Sequence, residues 1–290
     1  MDRTYLQAAV IDACVQDIRA FKPGNVSIGF PMHDMDAEDF IRSAQAIALP
    51  MTETGYSVGQ RIEFSIKATR SAVSCNTNLG IVLLFAPILS ALERIADALS
   101  LDNLQEALCM ELAELSLEDA RACYRAIRLA APGGLGESTH QDVHAEPSHT
   151  LLEVMQLAAS WDQISQEYAQ NFAGVIGKGV ETLMQSRERG EAELWAITRC
   201  YLNFVANQPD THISRKHGLD IAQTIQQEAR LLLEQWESCC NAAEFWPYLL
   251  EIHQKWRQNK INPGTSADLV VASILMMRLV DANSYNGARH

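Results

Sequence analysis

Basic residues are scarce in this 290-residue sequence, which has 23 Lys and Arg against 36 Asp and Glu and a net charge of −13. Proteins that bind nucleic acids or membrane surfaces generally need a basic face, because contacts with phosphates and the release of counterions drive that binding. The composition therefore argues against both classes. A phosphate-bearing ligand would have to be bound locally, by a few cations, by N–H groups at helix starts or by a metal ion.

Long hydrophobic runs and paired cysteine motifs are also missing. The longest apolar stretch, LGIVLLFAPILSAL at 79–92, is shorter than the roughly 20 residues that a membrane helix needs. The N-terminus shows no basic-then-apolar export signal. The seven cysteines have neither CxxC nor Cys/His zinc spacing, which argues against a disulfide framework or structural zinc. We expect a cytoplasmic protein in which residues 79–92 form a buried helix.

The alternating patterns that predict strands are nearly absent, and apolar residues recur at helical spacing along most of the chain. One such series is Leu6, Val10, Cys14 and Ile18. Helix starts are predicted where Asp36 precedes AEDF and where Ser116 is followed three residues later by Asp119. A chain of this length could hold one domain or two closely joined ones. We expect a single all-α domain over 1–290, with about a dozen helices and a site built from the loops between them.

Five polar segments interrupt the helical pattern and contain eight of the 15 glycines. They are FKPGNVSIGFPMHDMD (21–36), SCNTNLG (74–80), PGGLGESTHQDV (132–143), QPDTHISRKHG (208–218) and INPGTSADL (261–269). Loops carried on a rigid scaffold often hold binding and catalytic residues, and glycines allow close approach of a ligand to the backbone. The five segments are therefore the candidate sites.

Each segment alone also admits a purely structural interpretation. Lys22, held before Pro23-Gly24, suits a phosphate contact but could simply complement the dipole of the preceding helix. Asp36 could be only an N-cap, and Asp268 only a first-turn acid. The asparagines of the second segment could orient a ligand or cap the following helix. The basic residues of the fourth segment could bind an anion or form a solvated turn.

The third segment resembles a phosphate-binding glycine loop only superficially. It has no GK[ST] of a P-loop, and no strand precedes it as in a dinucleotide-binding fold. Its Glu137 and Asp142 instead offer carboxylate oxygens that suit Mg²⁺.

Taken together, the segments resemble the triphosphoribosyl-dephospho-coenzyme A synthase family over residues 10–280. The motifs that carry the resemblance, in chain order, are KPG at 22–24, HDMD at 33–36 with Phe40, NTNLG at 76–80, GE at 136–137 with DV at 142–143, DT at 210–211 with Arg215 and Gly218, and PGTSADL at 263–269. The resemblance implies an all-helical enzyme that uses ATP and 3′-dephospho-coenzyme A. Adenine is released and the triphosphoribosyl group is joined to a ribose hydroxyl, giving a prosthetic-group precursor.

That reaction gives the polar residues expected roles. Cleavage of an N-glycosidic bond develops positive charge on the ribose, which carboxylates can stabilise, and the triphosphate calls for Mg²⁺ and cationic donors. Residues predicted to act in catalysis and to bind Mg²⁺ are Asp34, Asp142 and Asp268, with Asp36, Glu137 and Asp210 in reserve. Residues predicted to bind substrate are Lys22, Gly24, Asn25, His33, Asn76, Asn78, Gly80, Gly133, Gly134, Gly136, Glu137, Asp210, Thr211, Arg215, His217, Gly264 and Ser266. A homodimer is also compatible with the resemblance.

The sequence departs from the family pattern at three places: KPGNVS replaces KPGLVD, NTNLG replaces NTHKG, and DTHISRKHG replaces DTNLLHRGG. These departures leave open a related phosphoribosyl-type transfer in another cofactor pathway. The polar loops are also compatible with a metal-dependent phosphohydrolase that uses a His33-Asp34 pair, with an ADP-ribose-type glycohydrolase and with a non-enzymatic helical interaction module. No histidine precedes His33, which disfavours the phosphohydrolase.

Overall fold

The computed structural model describes residues 1–32, 35–96, 98–131, 143, 145–239 and 241–287, with side chains up to residue 281. Within these ranges the chain is all-α, as predicted, and contains no strand beyond an isolated bridge between Ser27 and Phe30. The helices are α1 (Arg3–Arg19), α2 (Ala37–Met51), α3 (Val58–Ala72), α4 (Leu79–Ala91), α5 (Leu101–Ala113), α6 (Leu117–Ala130), α7 (Leu151–Ala158), α8 (Gln163–Ala169), α9 (Glu181–Glu188), α10 (Glu193–Asn207), α11 (Thr211–His217), α12 (Leu219–Ser238), α13 (Ala242–Gln258) and α14 (Gly264–Gly287). A 3₁₀ turn at Leu92–Arg94 and a π-helical turn at Val175–Val180 complete the set.

Capping boxes begin two helices at the predicted places. The Asp36 carboxylate accepts the N–H of Asp39, and the Asp39 carboxylate accepts the N–H of Asp36, both at 3.1 Å. This reciprocal pair begins α2. Ser116 and Asp119 form the same reciprocal pair at the start of α6. Such caps satisfy N–H groups that have no partner within the helix. The Asp36 carboxylate, a reserve metal ligand, thus has a structural role as an N-cap.

Two apolar helices form the centre of the molecule. Every residue of α4 from Gly80 to Ala91 is buried, which confirms the buried helix predicted at 79–92. Helix α14 is almost as deeply buried from Ala267 to Leu279 and packs against α4. No described helix is long and apolar enough to cross a bilayer. The two starts of α4 and α14 lie together, and this is where the polar segments meet.

The π-helical turn is anchored by a buried carboxylate. Glu167 accepts the N–H of Val175 at 3.0 Å, and only a glycine at position 174 leaves room for its side chain. The turn packs against α14 at Ser273, whose Cβ lies 2.7 Å from the place that a Cβ on Gly179 would occupy. Burial raises the pKa of Glu167 from 4.5 to about 7.

Replacement of Glu167 should therefore change how stability depends on pH. Because the folded state holds this proton more tightly than the unfolded chain, the free energy of unfolding falls as pH rises from about 4.5 to 7. The shift corresponds to a decline of about 3 kcal/mol. In Glu167→Gln, the free energy of unfolding should fall less between pH 5 and pH 7.5 than in the original chain. Urea unfolding at the two pH values measures this difference. An unchanged difference between the two pH values would contradict the assignment.

Candidate active site

The start of α14 brings together the described parts of four of the five polar segments. The first segment packs beside Ile261–Pro263, the fourth binds the first turn of α14, and the second contacts Asp268 one turn later. The third segment lies outside the described residues except for Val143. The predicted convergence of separate loops on one place is therefore seen for the described segments.

The first segment approaches through a glycine turn. Gly24 has a φ of +78°, and a Cβ there would lie 3.0 Å from the carbonyl oxygen of Ile261 and 3.1 Å from the ring of Trp256. Only glycine combines this conformation with so close an approach. Asn25 donates from Nδ2 to Oδ1 of Asn262 at 2.7 Å. Gly24 and Asn25 thus hold two loops together, and their predicted contact with substrate stays a prediction.

Asp210 joins the fourth segment to the fifth. Its Oδ1 accepts the N–H groups of His212 and Ile213 at 2.9 and 3.1 Å, and its Oδ2 accepts the N–H and the hydroxyl of Ser266, both at 2.8 Å. Thr211 donates from its hydroxyl to Thr265 at 3.1 Å. The side chains of Asp210, Thr211, Thr265 and Ser266 are buried. Asp210, Thr211 and Ser266 therefore fix α11 against α14, and these contacts give no support to their predicted role in binding substrate.

Asp268 is the carboxylate that this framework leaves unpaired. It makes no hydrogen bond or ion pair with any other described residue, and its side chain remains partly accessible. It lies against the first turn of α4, where a Cβ on Gly80 would be 2.6 Å from the Asp268 Cγ and would overlap its carboxylate oxygen. Gly80 thus creates the space in which the carboxylate sits.

Burial and neighbouring charges raise the pKa of Asp268. Burial raises its pKa well above the ordinary value, and the negative charges of Asp17 and Asp210 act in the same direction, while Arg215 opposes them. A carboxylate with a raised pKa is a stronger base than one in water. Asp268 is therefore suited to proton transfer.

The two asparagines of the second segment differ in their contacts. Asn76 accepts the N–H of Leu79 at 3.3 Å and so acts as a cap at the start of α4. Asn78 donates from Nδ2 to the Thr69 hydroxyl at 3.0 Å, while its Oδ1 is buried and finds no partner among the described residues. Buried polar atoms are normally hydrogen-bonded. Asn78 therefore still has an acceptor to offer a ligand, whereas the side-chain oxygen of Asn76 is already occupied.

Lys22 does not face a ligand. Its ammonium is fully buried, lies 2.9 Å from Oδ2 of Asp17 and also donates to the Asp17 carbonyl. Burial lowers the pKa of Lys22 and raises that of Asp17, and their mutual attraction opposes both shifts. This internal ion pair gives no support to the predicted phosphate contact.

The consequence of removing Lys22 should be lost stability. Lys22→Met leaves the Asp17 charge buried without its partner, which typically costs about 3–5 kcal/mol. Asp17→Asn combined with Lys22→Met should recover a large part of that loss, measured by urea denaturation. A higher KM for ATP with unchanged stability would instead restore the phosphate contact.

Arg215 and His217 lie nearer the surface. Arg215 donates from Nη1 to Oδ2 of Asp162 at 2.8 Å and is partly exposed. The Nε2 atom of His217 lies 3.2 Å from the Lys260 carbonyl oxygen. Arg215 also acts electrostatically on Asp268, so it remains a candidate for phosphate binding at the rim. The contact of His217 with a carbonyl gives no support for its predicted contact with phosphate.

His212 is a site residue that our sequence prediction did not select. Its ring lies against Gly264, whose Cβ, if present, would be 3.3 Å from the His212 Nδ1, and its Nε2 is buried with no partner in the described part of the chain. Burial, together with the neighbouring side chains of Lys216, Arg215 and His217, lowers its pKa from 6.5 to about 3. Only its position within the fourth segment could have indicated it from sequence.

Seven predicted residues lie outside the described part of the chain, namely His33, Asp34, Gly133, Gly134, Gly136, Glu137 and Asp142. Among the described residues, no group of three or more His, Cys, Asp or Glu side chains is placed to hold a metal ion. Asp268 is the member of the predicted metal set that can be located.

A cavity of about 250 Å³ lies elsewhere, lined in part by Thr52, Arg61, Leu92, Glu93 and Leu99. Its cation, Arg61, is 1% exposed and is paired with Glu93. None of the predicted site residues that the structure describes lines this cavity. The start of α14 is therefore the better candidate for the predicted site.

Comparisons with known proteins agree with the resemblance in the sequence. The family model for ATP:dephospho-CoA triphosphoribosyl transferase matches residues 3–287. A crystal structure from Archaeoglobus fulgidus, assigned provisionally as a triphosphoribosyl-dephospho-CoA synthase, is 22% identical, covers 83% of this chain and 98% of its own, and has a TM-score of 0.64. That likeness shows a shared fold. A search of curated proteins found no match. Because the family model spans almost the whole sequence, this chain belongs to the ATP:dephospho-CoA triphosphoribosyl transferase family.

Proposed function

We propose that the family reaction, transfer of the triphosphoribosyl group from ATP to 3′-dephospho-CoA, takes place at the start of α14. The observation that carries this placement is Asp268, a carboxylate at the junction of α4 and α14 that is partly accessible and has no partner among the described residues. Desolvated carboxylates without partners raise the free energy of the folded state. A carboxylate of this kind at the junction of several loops is therefore a candidate for chemistry at that position.

In the proposed step, the bond between ribose C1′ and adenine N9 breaks, and a bond forms between C1′ and the acceptor oxygen. The acceptor hydroxyl loses a proton, and the departing adenine gains one. Asp268 in its ionised form would accept the hydroxyl proton and stabilise the positive charge that develops on the ribose. Gly80 would allow the sugar and the carboxylate to approach the backbone of α4 closely.

Mg²⁺ remains part of the proposal. One carboxylate together with substrate phosphates is a common way for proteins to bind Mg²⁺, and Asp268, which has no partner among the described residues, fits that requirement. Asp268 would hold the ion with Asp34 and Asp142, the two predicted ligands outside the described residues. When bound, Mg²⁺ would offset the charge of the triphosphate. Arg215, at the rim, would supply a fixed cationic donor.

Mass spectrometry of the products tests the proposal. The full chain, incubated with ATP, Mg²⁺ and 3′-dephospho-CoA, should yield free adenine and triphosphoribosylated dephospho-CoA. Adenine released without an acceptor would indicate a glycohydrolase. ADP or phosphate as the product would contradict glycosyl transfer, and a different acceptor would move the chain to another cofactor pathway.

A cytoplasmic location and self-association also remain proposals. None of the described cysteines forms a disulfide, which suits a reducing compartment. Localisation of a tagged chain would test the first, and light scattering in solution would test a homodimer.

A further inference from the structure

His212 offers a hydrogen-bonding atom inside the candidate site that the framework does not use. Helix α11 is fixed by Asp210, which accepts the His212 N–H at 2.9 Å, and the imidazole is thereby held against Gly264 at the start of α14. Its Nε2 is buried and has no hydrogen-bond partner among the described residues. A buried polar atom without a partner is costly, so a bound ligand that supplies one is favoured.

The imidazole lies on the same side of α14 as the reactive carboxylate. Gly264, which the ring contacts, and Asp268 are four residues apart, a spacing that places them on neighbouring turns of one helix face. The ring therefore lies beside the helical turn that precedes Asp268.

The surroundings make His212 a neutral group. The groups on its own helix that lower its pKa are Lys216, Arg215 and His217. On neighbouring elements, Asp162 before α8 binds Arg215, and Asp268 on α14 also feels the charge of Arg215. Within the described ranges no carboxylate pairs with the ring, because Asp162 binds Arg215 and Asp210 uses both oxygens elsewhere. A neutral imidazole has one donor and one acceptor and offers no charge to a phosphate.

We propose that His212 is a positioning residue whose Nε2 hydrogen-bonds to a ribose hydroxyl of the bound nucleotide, holding the sugar beside Asp268. A hydroxyl is both a donor and an acceptor, so it can pair with either tautomer of the ring. The inference rests on the proposed site at the start of α14. The fourth segment would then contact the nucleotide at two places. His212 would bind the sugar, and Arg215, nearer the surface, would bind the phosphates.

Binding measurements on the full chain, without turnover, test this role. His212→Leu should weaken adenosine binding about tenfold, the effect expected for one lost hydrogen bond at a buried atom. Inorganic tripolyphosphate should bind the variant and the original chain equally. One of the two analogues, 2′-deoxyadenosine or 3′-deoxyadenosine, lacks the hydroxyl that Nε2 contacts. That analogue should bind the original chain and His212→Leu with the same reduced affinity. His149→Leu, an exposed histidine before α7, is the matched control and should change neither ligand.

A second variant guards against misfolding of the first. Gly264→Ala keeps the imidazole but places a methyl group 3.3 Å from its Nδ1, so it should also weaken adenosine and spare tripolyphosphate. Any of three results would overturn the inference. They are unchanged adenosine binding in both variants, weakened tripolyphosphate binding, and no adenosine binding by the original chain. A chain that shows the expected binding pattern but forms no triphosphoribosyl product would contradict the proposed function alone.

Discussion

Asp268→Asn is expected to lower the rate of adenine release by about 10²–10⁴-fold, the usual contribution of a positioned acid or base. The substitution keeps the size of the side chain and removes its ability to carry a proton. Because Asp268 has no hydrogen bond or ion pair among the described residues, the amide replaces a desolvated carboxylate and should not destabilise the fold. The rate is measured by release of free adenine under single-turnover conditions.

A thermal melt of the same variant separates chemistry from folding. We expect a melting temperature equal to or above that of the original chain, since sites of catalysis often reduce stability. Glu181→Gln, at the exposed start of α9, is the matched carboxylate-to-amide control and should retain full turnover. An Asp268→Asn protein with full turnover would remove Asp268 from the mechanism.

Gly80→Ala is expected to displace the Asp268 carboxylate and to reduce turnover by a similar factor. The new Cβ would lie 2.6 Å from the Asp268 Cγ and 2.7 Å from the Ile164 Cδ1, so at least one of these groups must move. Overpacking of this kind usually costs about 1–3 kcal/mol. Here both turnover and the free energy of unfolding should fall, the latter measured with urea.

Gly177→Ala provides the control for Gly80→Ala. A Cβ on Gly177 would meet no described atom within 4 Å, and this glycine is exposed in the π-helical turn. The control should keep its turnover and lose no stability. Full activity of Gly80→Ala would mean that the close approach at Gly80 serves packing alone.

The fold was predictable because its signals are local. Periodic apolar residues in α1, the capping residues Ser116 and Asp119, and the continuous apolar run of α4 each depend on neighbours in sequence. The grouping of the loops was predictable only through the family resemblance, because nothing local places Gly80 beside Asp268. Their contact depends on the packing of α4 against α14.

Individual roles were harder to predict because a polar loop residue can serve the protein itself. Lys22 suits a phosphate by its place in the turn, yet its partner is Asp17 within the preceding helix. Asp210 has the chemistry of a metal ligand, yet four donors of α11 and α14 occupy its oxygens. His212 was missed for the opposite reason, since the lack of a described partner at Nε2 is visible only in three dimensions.

Amide hydrogen exchange with and without ATP and Mg²⁺ is the most direct test of the claim that the nucleotide binds at the start of α14. The first-turn amides of Leu79 and Ser266 are held by side chains of the loops, Asn76 and Asp210, so they exchange when these loops open locally. A ligand bound across the loops should suppress that opening and slow the exchange. We predict ATP-dependent protection in residues 79–83, 211–215 and 264–268. Protection confined to the cavity around Arg61 and Glu93, or none in these three segments, would contradict the site.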